Sequence, residues 1–399
     1  MAARHMPNIC IAFHIMGGED WTVGPIYLRN LFSALRHPYS TGPRLSLLAP
    51  AVRRDAQDYA RSIEADEVIL YDPPQRWTPS WAINLCAKRL LLYDAFMEGL
   101  LRGRGIDVVF SPNLPHQYRR IATLALLPDF QHIHLPEMFS DAERISRDRL
   151  FLRCAKSATR IILISDAVRK DFESFAPLYA HKVRALRPVS CVPKSVYHYD
   201  LSSILKLYHL PEKFVYLPNQ FWKHKNHEEA FKAVKILKGQ GSSICVVCTG
   251  NSSDYRHPTY FASLVQKLAR WNIRDQVIYL GLVPHEHVLL LMRQSICVLN
   301  PSLFEGWGYT AEEARSLGKR VLVSDIPAHR EQNAPHATFF EPTDCDDLTE
   351  KLAQIWHEAR PGPDAELESE ARDNLPGRLN AYAEAFMSVA REAVQEMAS

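Results

Sequence analysis

Short apolar runs alternate with longer amphipathic stretches along almost the whole chain. The runs lack the polar alternation of a half-exposed strand, which is typical of parallel strands covered by helices on both faces. We predict strands at Ile9–Phe13, Leu45–Leu48, Val68–Tyr71, Val108–Phe110, Ile121–Leu127, Arg160–Ile164, Phe214–Leu217, Ile244–Cys248, Val277–Leu280, Ile296–Leu299 and Arg320–Val323. We predict helices between them, for example at Tyr27–Leu35, Glu228–Leu237, Tyr260–Leu268 and His285–Met292. This alternation occurs twice, which predicts an α/β fold of two doubly wound, Rossmann-like domains.

The strand and helix pattern is interrupted once near the middle of the chain. The run Arg187-Pro-Val-Ser-Cys-Val-Pro places prolines where a helix or a central strand could not continue. We therefore predict an N-terminal domain at residues 1–190 and a second domain at 191–375. After the turn signal Pro376-Gly377, residues 376–399 form a C-terminal helix (Arg378–Glu396) that packs back on the N-terminal domain. Two such domains would face each other across a cleft at the carboxyl ends of both sheets, where doubly wound folds bind ligands.

Composition and charge describe a globular protein and favour no nucleic-acid partner. Of 399 residues, 47% are hydrophobic and 23% are charged, and the formal net charge is +2. A chain of this length is too long for one ordinary α/β core. It has no signal-peptide pattern and no apolar run approaching about 18 residues. We expect a cytoplasmic protein, and contact with the inner face of the membrane stays open.

The cysteines and histidines show no convincing metal site. Eight cysteines are scattered through the chain, most of them inside apolar runs, so we expect reduced thiols. Cys245 and Cys248 form a C-x-x-C pair, but on an extended strand their side chains point to opposite faces. His285 and His287 supply two potential ligands without a third. We expect no metal at either place.

The densest chemical signal is a loop and helix start at Asn300–Gly318. Gly306 and Gly308 precede a helix that begins near Tyr309. Backbone N–H groups at such a helix start can approach an anion, and the helix dipole favours its charge. Glu305 and Glu313 flank the turn. Carboxylates repel phosphate, so these two should accept hydrogen bonds from sugar and ribose hydroxyls. Taken by themselves, the two glycines would more often only shape a tight turn, and Glu313 would only cap or solvate the helix.

The same stretch resembles a known family. Pro301-Ser-Leu-Phe-Glu-Gly-Trp-Gly-Tyr-Thr-Ala-Glu-Glu-Ala is similar to the Glu-x7-Glu signature of retaining glycosyltransferases of family 4, which have the two-domain GT-B fold. The likeness continues through Gly318-Lys-Arg-Val-Leu-Val-Ser-Asp-Ile-Pro. Upstream it includes Val277-Ile-Tyr-Leu-Gly-Leu-Val-Pro. It covers most of residues 210–355.

The resemblance implies a role for each residue of the signature. Glu313 would hold the nucleotide ribose, and Glu305 would lie beside the donor sugar. The backbone of the intervening loop would meet the sugar hydroxyls and the diphosphate. The donor-binding residues of this loop would be Gly306, Trp307, Gly308, Tyr309 and Thr310.

A second basic loop follows the strand Phe214–Leu217. Its sequence is Leu217-Pro-Asn-Gln-Phe-Trp-Lys-His-Lys-Asn-His. A cation at a strand's carboxyl end is well placed to neutralise a leaving diphosphate, and Lys225 matches the family's lysine. The family's arginine position holds Asn219 or Gln220 instead, so Lys223 or a residue elsewhere would have to supply a second charge. The alternative for Lys225 is an ordinary solvated lysine.

Two weaker matches lie in the first half of the chain. Gly17 and Gly18 resemble the family's first glycine-rich loop, which approaches the donor phosphate and the acceptor. Asp129 matches the aspartate of a His-Asp pair, although the histidine position is Pro128. His132 or His134 could replace it as a hydrogen-bond partner of the donor sugar or acceptor hydroxyl. The alternative is an ordinary loop histidine.

Together these matches imply a metal-independent, retaining hexosyltransferase without a cofactor. It would move a hexose or deoxyhexose from a GDP-, UDP- or dTDP-linked donor to a hydroxyl of a glycan or lipid-linked acceptor. The expected pathway is cell-surface polysaccharide or glycolipid synthesis. Two alternatives remain, a sugar-nucleotide epimerase of the same fold and a catalytically silent partner subunit.

A predicted basic amphipathic helix at Trp81–Gly105 bears on the membrane question. Leu85, Leu92, Phe96 and Leu100 lie near one face, with Lys88, Arg89, Arg102 and Arg104 nearby. Such a helix can lie on an anionic membrane surface, where related transferases meet lipid-linked acceptors. The alternative is a helix that packs on the core and exposes its basic residues to water.

Overall fold

The structure is a computed structural model and describes residues 9–17, 23–36, 42–112, 114 and 116–398. Contacts divide the chain into two compact units. The first unit comprises the described residues of Met1–Phe130, Asp141–Val189 and Gly377–Ser399. The second unit comprises Gln131–Ser140 and Ser190–Pro376.

The first unit is built on a parallel sheet of seven strands in the order β3-β2-β1-β4-β5-β6-β7. The strands are β1 Cys10–His14, β2 Arg44–Pro50, β3 Glu67–Tyr71, β4 Val108–Pro112, β5 Ala122–Leu127, β6 Arg160–Leu163 and β7 Val183–Ala185. Its helices are α1 Val23–Arg36, α2 Ala56–Ser62, α3 Pro79–Leu90, α4 Ala95–Gly103, α6 Asp141–Ser157 and α7 Asp166–Phe175. Every residue of β5 is buried, as expected for a central parallel strand.

The second unit is built on a parallel sheet of six strands in the order β10-β9-β8-β11-β12-β13. The strands are β8 Val215–Leu217, β9 Val246–Cys248, β10 Val277–Tyr279, β11 Cys297–Asn300, β12 Val321–Ser324 and β13 Ala337–Phe340. Its helices are α5 Gln131–His134, α8 Lys194–His198, α9 Leu201–Tyr208, α10 His227–Gly239, α11 Tyr260–Arg270, α12 His285–Gln294, α13 Tyr309–Leu317, α14 Pro327–Gln332 and α15 Cys345–Glu358. The last helix, α16 Ala365–Ala398, begins in this unit and ends in the first.

Both sheets have a topological switch point, where the connections that follow two neighbouring strands run to opposite sides of the sheet. In the second unit it lies between β8 and β11, which pair in parallel with Val215 opposite Cys297. The loops at the carboxyl ends of these two strands are therefore neighbours. In open α/β sheets this is the usual position of a ligand.

The predicted fold class is confirmed, and every predicted strand is present with bounds shifted by two residues or fewer at each end. Two strands were missed, β7 and β13. Both lie at an edge of their sheet. Edge strands need no continuous apolar run, and β13 is mostly half-buried. Their sequences therefore give a weak strand signal.

The predicted turn at Pro376-Gly377 is wrong, because Pro376 lies inside α16. A proline removes one backbone hydrogen bond and crowds the preceding turn. Here Leu375 and Leu379 are buried on either side of it. Burial of the flanking turns outweighs the local penalty, and the helix continues.

The predicted helix at Trp81–Gly105 is in fact two helices. α3 ends at Leu90, and Leu92 has a left-handed backbone with φ of 52°. α4 starts after Asp94, whose carboxylate accepts from Met97 N at 3.2 Å and pairs with Lys88 Nζ at 2.6 Å. The N-cap carboxylate of Asp94 favours a new helix start over continuation of α3.

The eight cysteines are free thiols. Cys245 and Cys248 pack in different hydrophobic clusters, which confirms that they point to opposite faces. No helix among the described residues is long and apolar enough to cross a membrane.

Candidate functional site

The loops after β8 and β11 bring a lysine and a glutamate together. Lys225 ends a short 3-10 turn, Lys223–Lys225, after β8. Its Nζ lies 2.6 Å from Glu305 Oε1 in the loop after β11. The two side chains are 16% and 10% exposed, so water screens the ion pair only weakly. The structure thus joins two residues that lie 80 positions apart in the sequence.

Glu305 is held in its ionised form. Burial acts to raise the pKa of its carboxyl, but the Lys225 ammonium and the hydroxyl of Ser302 outweigh burial and keep that pKa below its ordinary value. Ser302 Oγ lies 2.7 Å from Glu305 Oε1. The carboxylate therefore has a fixed orientation and only accepts hydrogen bonds near neutral pH.

Asn219, one of the two residues at which the resemblance would place an arginine, connects three segments of this site. Its Nδ2 donates to Asn300 Oδ1 at the end of β11, at 2.9 Å. Its Oδ1 accepts from Thr310 Oγ1 in the first turn of α13, at 2.8 Å. Asn219 is 3% exposed. The neutral amide therefore fixes the loop geometry, and an arginine could not make both of these contacts because it has no acceptor. Gln220 follows it in the same loop, half-buried.

Gly308 precedes α13 in a conformation that suits only glycine. Its φ is 87°, and a Cβ added there would lie 3.2 Å from His329 Nε2. Its carbonyl accepts from Gln332 Nε2 at 2.9 Å. Burial lowers the pKa of His329, so the ring is neutral, donates from Nδ1 to Ser324 O at 2.8 Å and presents Nε2 as an acceptor. Gln332 and His329 thus fix the backbone at the start of α13. The first N–H groups of that helix have no intrahelical acceptor.

Gly306, Trp307 and Tyr309 complete the predicted donor loop. Trp307 is only 2% exposed, so its indole packs in the interior and only its backbone could reach a donor. Gly306 and Tyr309 are half-buried.

Glu313 lies one turn into α13 and has a partner that the sequence did not indicate. His285 Nε2, at the start of α12, lies 2.5 Å from Glu313 Oε1. His287, two residues further on, bonds through Nδ1 with the hydroxyl of Tyr208 at 2.7 Å instead. The two histidines therefore serve different contacts. No cluster of three metal-ligating side chains occurs among the residues that the structure describes.

Two of the predicted residues lie in the first unit. Gly17 has φ of 96°, and its carbonyl accepts from Arg53 Nη1 at 3.2 Å. Asp129 pairs with Arg147 Nη2 at 2.8 Å. Gly18 lies outside the described residues.

His132 and His134 belong to the second unit, in the segment Gln131–Ser140. His132 is 2% exposed and has its ring against Phe139, with centroids 6.3 Å apart. His134 is exposed and stacks on Phe304, the residue before Glu305, with centroids 5.0 Å apart. Of the two histidines, His134 is the one that a bound molecule could touch.

Arg256, in the loop after β9, anchors this segment and was missed by the sequence analysis. Its Nη1 donates to Gln131 Oε1 at 3.1 Å, and its guanidinium lies 4.8 Å from the ring centroid of Phe139. Nε lies 3.4 Å from Asp254 Oδ1, and both side chains are almost fully buried. A lone arginine in a loop gives no sequence signal for such a role, because its partners come from distant parts of the chain.

Comparison with known proteins finds a family model that matches part of the second unit. Residues 206–374 match the family model described as Glycosyl transferases group 1. The O-antigen chain mannosyltransferase RfbU of Salmonella typhimurium is 28% identical over 123 residues, which are 31% of this chain and 33% of that protein. The match thus spans about a third of the relative's length.

Solved structures resemble the chain over nearly its full length. They include α,α-trehalose 6-phosphate synthase from Burkholderia multivorans, with a TM-score of 0.66, 16% identity and coverage of 99% of this chain and 100% of that one. Anabaena HepE in complex with UDP and glucose gives a TM-score of 0.65 and 14% identity, covering 98% of this chain and 99% of that one. At these identities the likeness shows the fold, which is that of GT-B glycosyltransferases.

Proposed function

We propose that the chain is a metal-independent, retaining glycosyltransferase that moves a hexose or deoxyhexose from a nucleotide diphosphate donor to a hydroxyl of a glycan or lipid-linked acceptor. The observation that carries this proposal is the Lys225–Glu305 pair at the switch point of the second sheet, 2.6 Å apart, inside the region that matches group 1 glycosyl transferases. Such a site offers a cation and a helix start to a diphosphate and a carboxylate to sugar hydroxyls.

In the proposed reaction, the bond between the anomeric carbon and the β-phosphate oxygen breaks, and that oxygen keeps the electron pair. The acceptor oxygen forms the new bond to the anomeric carbon, and its proton passes to the oxygen of the leaving diphosphate. Lys225 and the first N–H groups of α13 stabilise the charge on the leaving diphosphate. Glu305 accepts from a sugar hydroxyl and thereby orients the donor. Gly17 and Asp129 remain candidates on the acceptor side.

We assign the role of the family's histidine, absent at Pro128, to His134. Its ring is exposed and stacks on Phe304, next to Glu305. His132 is buried and would need a rearrangement to touch a substrate. His134→Ala should therefore lower turnover more than His132→Asn, which keeps a polar side chain in the buried position.

The donor is proposed from the named relatives and the site chemistry. HepE binds UDP and glucose, and RfbU is a mannosyltransferase. We therefore propose a UDP- or GDP-linked hexose first and a dTDP-linked sugar second. Surface polysaccharide or glycolipid synthesis is the corresponding pathway, on the cytoplasmic side of the membrane.

The deciding experiment is a thermal-shift screen against UDP, GDP, dTDP, ADP and CMP without added metal, followed by assay of donor hydrolysis. A diphosphate at about 100 times its dissociation constant stabilises the folded state by about 2.7 kcal/mol, which raises the melting temperature. We expect one diphosphate to stand out, Glu313→Ala to weaken its binding, and Lys225→Ala mainly to lower turnover. No shift with any nucleotide would refute the proposal.

The same assays separate the alternatives. An epimerase would convert the donor to a second nucleotide sugar without releasing diphosphate. A silent partner subunit would bind a diphosphate and release none from any donor. Release of diphosphate with a glycosylated acceptor supports the transferase.

We also propose that α3 and the residue before its cap meet an anionic membrane surface. Trp77, Ile83 and Leu90 are 88%, 68% and 81% exposed. Arg76 and Arg89 are exposed beside them, and apolar side chains interspersed with basic ones suit an anionic lipid headgroup layer.

Vesicle sedimentation tests this contact. We expect the chain to sediment with phosphatidylglycerol vesicles more than with phosphatidylcholine vesicles, and Trp77→Ser with Ile83→Ser to reduce sedimentation. Leu178→Ser is the control, because Leu178 is equally exposed (82%) on a different element. Equal loss in both variants would contradict a specific surface on α3.

A further inference from the structure

We infer that His285 positions Glu313 for the nucleotide ribose and so determines how strongly the site prefers a ribonucleotide. The inference rests on the proposed function, since it concerns the donor nucleotide of the same site. It depends on one contact, His285 Nε2 to Glu313 Oε1 at 2.5 Å.

The direction of this hydrogen bond follows from the chemistry of its partners. An ionised carboxylate has no proton to give, so the imidazole Nε2–H donates and Glu313 accepts. Hydrogen bonds to a charged group are about twice as strong as neutral ones. His285 therefore restricts the rotation of the Glu313 carboxylate about its last bond.

The surroundings make this restriction useful to a ligand. Glu313 is 6% exposed and stands one turn behind the start of α13, where Thr310 connects the helix to Asn219. The His285 side chain is 21% exposed, so the pair lies at the surface of the unit with its carboxylate side covered. His285 uses Oε1, and Oε2 can accept from a ribose hydroxyl at the same time.

The position of His285 at the start of α12 allows this contact, but the sequence alone does not indicate it. Pro284 ends the loop after β10 and is the N-cap of α12, so His285 is the first residue of that helix. His287 has the same chemistry two residues later, but its side chain points to Tyr208. Two histidines two positions apart on the same helix therefore differ in role. His285 contacts the Glu313 carboxylate, and His287 only joins α12 to α9 through Tyr208.

The test compares ribonucleotides with their 2′-deoxy analogues by isothermal titration calorimetry. The probes are UDP and 2′-deoxy-UDP, and GDP and 2′-deoxy-GDP. For the pair that binds the unmodified protein, we expect His285→Ala to weaken ribonucleotide binding by about tenfold. Binding of the 2′-deoxy analogue should change by less than half of that factor, because it already lacks a hydroxyl that Glu313 would bind.

Two further variants make the role specific. His285→Gln retains a side-chain N–H donor and should recover most of the ribonucleotide affinity. His287→Ala should leave both dissociation constants unchanged while lowering the melting temperature. In the double variant His285→Ala/Glu313→Ala, the loss should be no larger than in Glu313→Ala alone, since His285 acts through Glu313.

The possible outcomes are distinguishable. If the unmodified protein binds no diphosphate, the proposed function fails and this inference fails with it. If it binds a ribonucleotide and His285→Ala binds both forms as before, or loses both equally, the proposed function stands and the role of His285 is refuted. Unfolding of His285→Ala would appear in circular dichroism, and His285→Gln then decides the outcome in the same calorimetric comparison.

Discussion

At the scale of single residues, the pair of Lys225 and Glu305 dominates the chemistry of the second unit. The buried carboxylate of Glu305 is ionised because the ammonium of Lys225 lies 2.6 Å away. Removing one partner of such a pair is more damaging than removing both, because an uncompensated charge remains in a poorly solvated place.

This asymmetry predicts a pH-dependent loss of stability in Lys225→Met. In the unmodified protein the pKa of Glu305 is lowered on folding, so the pair stabilises the fold above the ordinary carboxyl pKa of about 4.3, and this is lost as the pH falls. In the variant, burial remains and raises that pKa. The variant should lose about 3 kcal/mol at pH 7 and clearly less at pH 4.

Urea unfolding at the two pH values measures the difference. Lys223→Met is the matched control, because Lys223 is exposed two residues earlier in the same turn, and it should unfold like the unmodified protein. A loss in Lys225→Met that is equal at both pH values would show that the pair does not set the ionisation of Glu305.

A second residue-scale prediction concerns Gly308. Its φ of 87° is in the left-handed region, and an added Cβ would press on His329. Gly308→Ala should lower the free energy of unfolding by about 1–2 kcal/mol and weaken diphosphate binding by moving the start of α13. Gly239→Ala, at the end of α10 with no atom within 4 Å of an added Cβ, should be neutral or slightly stabilising. Thermal unfolding of both variants gives the comparison.

At the scale of elements, α16 contributes to the core of the first unit through its second half. Phe386 is fully buried and lies 5.9 Å from Phe13 and 5.8 Å from Phe110, measured between ring centroids. Phe13 lies on β1 and Phe110 on β4, which are central strands of the first sheet. A helix near the carboxyl end of the chain thus covers strands near its beginning.

Phe386→Ala should therefore destabilise the protein by about 3–5 kcal/mol, since it removes a large side chain from a closed core. Glu384→Ala, two residues earlier on an exposed position, should change stability by less than about 0.5 kcal/mol. Denaturant titration followed by fluorescence and circular dichroism measures both. If the two variants behave alike, α16 does not contribute to this core.

The elements also show what sequence reasoning could and could not provide. The apolar runs of central strands predict those strands because burial on both faces leaves no room for polar residues. The ends of helices were harder. Pro376 reads as a stop by local rules, but buried leucines on both sides keep the helix continuous. Leu92 reads as part of one long helix, but the cap at Asp94 divides it.

The site follows the same division. Lys225, Glu305 and Glu313 could be selected as candidates from the sequence, because each lies in a loop after a predicted strand or within the first turns of a predicted helix. Their partners Ser302 and His285 could not, because these two residues acquire their roles only through contacts made in the folded chain, and the same holds for Arg256 beside Gln131. The sequence shows that an uncharged residue, Asn219 or Gln220, stands where the resemblance implies an arginine. The reason, the amide contacts of Asn219 to Asn300 and Thr310, is not visible in the sequence.

At the scale of the whole molecule, the distribution of thiols predicts an ordered chemical reactivity. Cys86 is exposed, whereas Cys154, Cys245, Cys248 and Cys297 are buried. Burial raises the pKa of Cys245 to about 11 and that of Cys154 and Cys297 to about 12, so their thiolates are scarce at neutral pH.

Titration with a thiol reagent should therefore show Cys86 reacting first and the four buried thiols only after unfolding. Cys86→Ser should remove the fastest phase without changing the melting temperature. If the fastest phase survives this substitution, it belongs to another thiol, such as the half-buried Cys10, Cys191 or Cys345, and its assignment to Cys86 is wrong.

The order in which the chain visits its two units has a consequence for recombination. The polypeptide passes from one unit to the other after Phe130, Ser140, Val189 and Pro376. A gene fusion that exchanged the second unit at the single junction after Val189 would combine the Arg256 loop of another protein with Gln131–Ser140 of this chain. The hydrogen bond from Arg256 to Gln131 and the stacking of His134 on Phe304 would then have to form between residues of two different proteins. An exchange of the second unit between relatives of this chain should therefore keep these contacts only when residues 131–140 are inherited together with the region after Val189.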